Sequence, residues 1–114
     1  MYMHNYSKSD VILVHYPFAD LSTSKVRPAV VVSAPHISED VFVVPLTSKI
    51  ISLLPGEFVL MYWVDAGLNV ATAVKRGIYT VNRRLIIKKV GNLSTSDAKS
   101  LENSLREWLG FWRI

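Results

Sequence analysis

Arg27 stands directly before Pro28 and the apolar run Ala29-Val30-Val31-Val32, so a charge that is never lost is fixed at the mouth of a strand. A guanidinium is a planar fork that binds two phosphate oxygens at once. Pro28 restricts Arg27 to extended backbone angles and so presets the direction of its side chain. The plainer role for Arg27 is a structural ion pair with Asp20 on the preceding loop. Two more segments bring related groups to the ends of apolar runs: Pro45-Leu46-Thr47-Ser48 and Val74-Lys75-Arg76-Gly77. The Thr47 hydroxyl and the neighbouring backbone N–H suit a phosphate oxygen, with Ser48 as a weaker second hydroxyl. Thr47 read structurally is a β-branched strand residue that packs or caps the next turn. Lys25, Lys75 and Arg76 suit contacts to an RNA backbone, whose strength falls with salt.

Such groups match one metal-independent reaction. The ribose 2′-hydroxyl attacks the adjacent phosphorus when one group takes its proton, another stabilises the equatorial oxygens and a third protonates the leaving 5′-oxygen. RNA is required, because DNA has no 2′-hydroxyl. Histidine is the side-chain type best suited to proton transfer near neutrality, which makes His15 a candidate. It also falls in period with Val11 and Leu13, which reads as a hydrogen-bonded histidine on a core face. Asp20 serves either to orient Arg27 or to accept the 2′-hydroxyl proton; orienting is favoured, since a carboxylate beside arginine is a poor base.

Other chemistries lack their residues. His4, His15 and His36 have no metal-site spacing, the nine acidic residues are unpaired, and there is no cysteine, glycine-rich phosphate loop or nucleophile elbow. No cofactor is expected. The missing cysteines suit a reducing compartment, the polar first ten residues are unlike a signal peptide, and the longest apolar run, Phe58 to Val64, is too short to span a bilayer. A cytoplasmic protein without a membrane partner is expected. The net charge of +4 is uneven: between Asp65 and Asp97 there is no acidic residue, but Lys75, Arg76, Arg83, Arg84, Lys88 and Lys89 all lie there. Either a solvated basic face or a phosphate-bearing partner accounts for it.

These groups need a frame, and the chain supplies many short strands. Val11–Tyr16, Ala29–Ser33, Val41–Thr47, Glu57–Val64, Thr72–Lys75, Ile78–Val81 and Leu85–Val90 are rich in Val, Ile and aromatics, with prolines at or near their ends. So many strands in 114 residues predict one mainly β domain over 1–114, a small barrel that leaves no exposed edges. Ser94 with Asp97 three residues on predicts a capped C-terminal helix whose Ala98, Leu101, Leu105, Trp108 and Leu109 form a core stripe. Lys49–Leu54 is expected to form one short helical turn after the third strand. Phe111 and Trp112 are expected to pack on the barrel or at a dimer interface.

Five motifs in order resemble the PemK/MazF family of toxin endoribonucleases: Tyr16-Pro17-Phe18-Ala19-Asp20 with the loop Leu21-Ser22-Thr23-Ser24, Lys25-Val26-Arg27-Pro28, Pro45-Leu46-Thr47-Ser48, Gly67-Leu68 and Lys89-Val90-Gly91. The resemblance implies an SH3-like barrel with appended helices, a homodimer binding single-stranded RNA across or near its interface, and cleavage leaving a 2′,3′-cyclic phosphate and a 5′-hydroxyl. It further implies an antitoxin partner whose acidic tail occupies the basic cleft, and it assigns the catalytic arginine and threonine to Arg27 and Thr47. Where several relatives carry an acidic residue after Gly-Leu, this chain has Ala73-Val74-Lys75-Arg76-Gly77, so the usual base is not identified. The alternative from another class is a non-catalytic SH3-like module binding nucleic acid or protein through the same cleft.

Overall fold

The computed structural model describes residues 6–16 and 25–111. Within them the strands are β1 (Asp10–Tyr16), β2 (Lys25–Val31), β3 (Asp40–Thr47), β4 (Phe58–Val59), β5 (Ala73–Val74), β6 (Tyr79–Asn82) and β7 (Ile86–Asn92), and α1 (Thr95–Leu109) follows. Every pairing is antiparallel. Neighbours run β4-β5-β3-β2-β1-β7, with β6 also on β3. The ladder therefore stays open between β4 and β7, and the expected small barrel takes this open form with one C-terminal helix. No helix among the described residues is long and apolar enough to cross a membrane.

The apolar runs do not alternate with polar residues because both faces of the sheet are covered. Val11, Val30, Val44, Leu46 and Val74 lie in one buried cluster with Leu101 of α1. Ile12, Val14, Ala29, Val31, Val43, Val81 and Ile86 form a second. Each such side chain taken from water stabilises by about 1.5–3 kcal/mol. Exposed ion pairs such as Lys8–Glu102, 3.0 Å apart, are worth about 0–1 kcal/mol, so the two clusters hold the sheet.

Three expectations need correction. The apolar segment Glu57–Val64 is strand only at Phe58–Val59; the chain then leaves the sheet through turns at 61–67. The reason lies in α1: buried Asp97 accepts the N–H groups of Met61 at 2.9 Å and Tyr62 at 3.0 Å, which would otherwise seek a ladder partner. Lys49–Leu54 forms no helical turn, since Ser52 has φ 60° in its middle and left-handed backbone breaks a right-handed turn. Leu109 is 52% exposed and does not join the core stripe. The buried side of α1 is instead centred on Asp97, Leu101 and Ser104, which leaves Leu109 at its margin.

The helix start is as expected. Ser94 Oγ accepts the Asp97 N–H at 3.1 Å, and Gly110 closes the far end with φ 79°. Ala98, Leu105 and Trp108 pack against the first cluster. Phe111 is 70% exposed and so does not pack on its own sheet, which leaves the dimer-interface alternative of that expectation, and Trp112 lies outside the described residues. The helix also anchors a turn: Ser104 Oγ donates to Gly56 O at 2.7 Å and Trp108 Nε1 donates to Pro55 O at 3.0 Å.

Candidate functional site

Strand alternation decides which of the sequence-predicted groups share a face. On β1–β2 the register pairs Val14 with Arg27 and His15 with Val26. Directly opposed residues project to the same side and adjacent ones to opposite sides. Arg27 thus shares its face with Val14, Ile12 and Ala29, and His15 lies on the other face with Val26. The structure does not bring His15, which is half-buried, to the side of Arg27.

On β2–β3 the register pairs Ala29 with Pro45, Val30 with Val44 and Val31 with Val43. Two residues further along each strand, on the face of Ala29 and Pro45, come Arg27 and Thr47. The recorded pairing ends at Ala29–Pro45, directly after Pro28, which has no N–H to give. Arg27 and Thr47 are therefore the first same-face positions beyond the end of the β2–β3 ladder. The second apolar cluster covers this face further back, through Val31 and Val43; Arg27 is exposed and Thr47 half-buried.

Strand β5 adds a third group. Thr47 pairs with Ala73, and Lys75, one residue past β5, donates its N–H to Pro45 O at 2.9 Å. Continuing that register sets Lys75 on the side of Pro45 and Thr47. Lys25, two residues before Arg27, falls on the same side. Lys25, Lys75 and Arg76 are exposed, and among the described residues none of these or Arg27 has an ion-pair partner. The arrangement concentrates positive charge around one hydroxyl. Ser48 follows Thr47 in an exposed bend. Asp20, and with it the Asp20–Arg27 pair, lies outside the described residues.

The Thr47 hydroxyl has a defined polarity. Its Oγ1 accepts the Lys49 N–H at 3.1 Å, which fixes the oxygen and leaves its own proton available to donate outward. A guanidinium and such a hydroxyl on one face match the oxygens of a phosphate.

One residue of this region escaped the sequence reading. Glu57, just before β4, accepts the N–H groups of Leu54 at 2.7 Å and Arg76 at 2.8 Å, one on each carboxylate oxygen. The bonds from Arg76 and Leu54 hold its pKa below the ordinary glutamate value of 4.5, with the charges of Lys75 and Arg76 adding to the effect. A signal was present: Glu57 is the only acidic residue between Asp40 and Asp65.

The family model of PemK-like, MazF-like toxins of type II toxin–antitoxin systems matches residues 7–109, the stretch that carries every element just described. The chain belongs to this family. Its fold is that of MazF toxins in solved structures. A MazE–MazF complex from Deinococcus radiodurans superposes with a TM-score of 0.78 at 15% identity, covering 96% of this chain and 100% of that one. An endoribonuclease bound to its cognate antitoxin, from a mycobacterial species, gives 0.75 at 16% identity with 98% and 100% covered. The Mycobacterium tuberculosis toxin MazF-mt6 gives 0.69 at 21% identity with 89% and 96% covered. No curated protein sequence matches the chain. In this PemK/MazF chain the strand register sets Arg27, Thr47 and Lys75 on one side of the sheet.

Proposed function

We propose that this PemK/MazF toxin is an endoribonuclease that cuts single-stranded mRNA by attack of the ribose 2′-hydroxyl, without a metal or cofactor, giving 2′,3′-cyclic phosphate and 5′-hydroxyl ends. The observation that carries the reading is the β2–β3 register, which continued by two residues sets Arg27 and Thr47 on one face past the Ala29–Pro45 pair. Arg27 grips two phosphate oxygens and stabilises the charge that builds on them as the fifth bond to phosphorus forms. Thr47 donates its hydroxyl proton to a phosphate oxygen while Lys49 N–H holds its own oxygen still. Lys25, Lys75 and Arg76 draw in and align the flanking backbone. Ser48 adds a hydroxyl at the rim.

Proton transfer falls to residues of less defined place. Asp20, which precedes β2 in the sequence, orients Arg27 or takes the 2′-proton. His15 acts from the edge of β1 only where the RNA wraps past it, because its register sets it on the opposite face. The same basic face suits the acidic tail of a cognate antitoxin, and the solved MazE–MazF complexes support such a partner. The toxin acts as a homodimer in the cytoplasm on this reading.

Purified protein incubated with long single-stranded RNA in excess chelator tests the mechanism. Cleavage with cyclic-phosphate ends, lost in Arg27→Ala, is expected. Cleavage that requires magnesium, or that Arg27→Ala leaves unchanged, would sink it. RNA binding without cleavage would establish the alternative, a binding module, which the lack of a carboxylate after Gly67-Leu68 favours.

A further inference from the structure

We propose that Glu57 is the positioning residue of the RNA-binding face: it sets where Lys75 and Arg76 present their charges, and it is not the missing general base. This rests on the function proposed above. Register places Glu57 close to the reacting groups. Val59 of β4 pairs with Ala73 of β5, which in turn pairs with Thr47. Stepping two residues back from Val59 and two forward from Ala73 reaches Glu57 and Lys75, on the side of Thr47. A carboxylate here would be the obvious base.

Its bonding argues otherwise. Both oxygens already accept backbone N–H groups, Leu54 at 2.7 Å and Arg76 at 2.8 Å. A base must turn an unshared lone pair toward the 2′-hydroxyl and hold the proton it gains, and an anion stabilised by two N–H donors does this poorly. What the carboxylate does instead is tie two separate segments together. Residues 54–57 form a tight turn, with Glu57 N–H on Leu54 O at 2.9 Å. That turn is itself fastened to α1, through Ser104 on Gly56 O and Trp108 on Pro55 O. Gly56 has φ 87°, and a Cβ there would sit 2.3 Å from Trp108 Nε1, so the turn lies hard against the helix.

Glu57 extends this fixed point to Arg76. Residues 75–77 leave β5 with one ladder bond, Lys75 N–H to Pro45 O, and then reach Gly77 at φ 153°. Without Glu57, the segment that carries two of the cations is held from one side only. Fixed cations lose less freedom on meeting RNA than loose ones, and that difference appears as affinity.

The test measures binding of a single-stranded 2′-O-methyl RNA, which cannot be cut, across a salt series. The proteins are the full-length wild type, Glu57→Ala, Glu57→Gln, Lys75→Ala/Arg76→Ala and the triple variant. Glu57→Ala is expected to weaken binding about five- to tenfold with a shallower salt slope, and Glu57→Gln, which keeps one acceptor, less. In the Lys75→Ala/Arg76→Ala background, Glu57→Ala is expected to add nothing, because its effect passes through those two side chains. An equal loss in both backgrounds, or unchanged affinity in Glu57→Ala, overturns the proposal. On cleavable RNA, Glu57→Ala should raise KM more than it lowers kcat, whereas a fall in kcat alone would make Glu57 the base and overturn it. Wild-type protein that binds no RNA defeats the functional reading itself, a result separate from any failure of Glu57.

Discussion

Arg27 and Thr47 are unlike in what they can lose. Arginine to alanine removes both fork bonds and the charge, and the expected fall in cleavage rate is about a hundred- to a thousandfold, the scale of deleting one transition-state donor. Arg27→Lys should recover little of it, since a point charge does not reproduce two parallel N–H bonds; initial rates on one RNA substrate decide both. Thr47→Val keeps the strand shape and removes the hydroxyl, with an expected loss of about tenfold, whereas Thr47→Ser should stay near wild type. Glu57 carries a pH signature. Its carboxyl pKa is lowered in the folded chain by the Arg76 and Leu54 N–H groups, so its stabilisation is present above about pH 4.5 and is lost as pH falls through the folded value. Thermal melts should therefore fall off less steeply below pH 4.5 for Glu57→Gln than for wild type.

At the level of elements, α1 does more than close the core. Its two buried polar residues bind backbone groups on either side of β4: Ser104 the Gly56 carbonyl before it, and Asp97 the Met61 and Tyr62 N–H groups where the chain departs from the sheet. The sequence pattern shows the apolar members of the stripe and the Ser94 cap, but not this, because a polar residue on a helix reads as solvent-facing until its partners are known. The same blindness extended β4 too far: Phe58 to Val64 looks like a strand by composition, and Asp97, some 35 residues away, decides that it is not. Asp97→Ala would leave the part-buried N–H groups of Met61 and Tyr62 without their acceptor. A cost of about 3 kcal/mol follows at the usual scale for bonds to a charged group, to be read by chemical denaturation. Close approach does similar work between β7 and the 61–67 turns, where a Cβ on Gly91 would lie 2.4 Å from Ala66 O.

For the whole molecule, the balance of charge is the relevant quantity. The register sets Lys25, Arg27 and Lys75 on one side of an open sheet, with Arg76 next in the chain, and on the proposed function this is the face that attracts either RNA or an acidic chain. A peptide rich in Asp and Glu should accordingly compete with single-stranded RNA for the protein, each weakened by salt. Fluorescence anisotropy at rising ionic strength checks this; competition that does not respond to salt, or none, would show that the two ligands use different surfaces. The open ladder between β4 and β7 makes α1 and the 61–67 turns the cover of the first cluster, in place of a closing strand.

The strand-rich class, the capped helix and the family are legible in the order of residues alone, because proline, β-branched runs and a serine cap act through neighbours a few residues away. The sequence also singled out Arg27 and Thr47 as candidates by residue type and by the prolines and apolar runs beside them. Long-range pairing was needed to show that Arg27 and Thr47 share a face while His15 does not, that Glu57 ties Arg76 to the turn before β4, and that Asp97 ends that strand. Each depends on register or on a hydrogen bond between distant segments, and a shift of one residue in pairing would reverse every face.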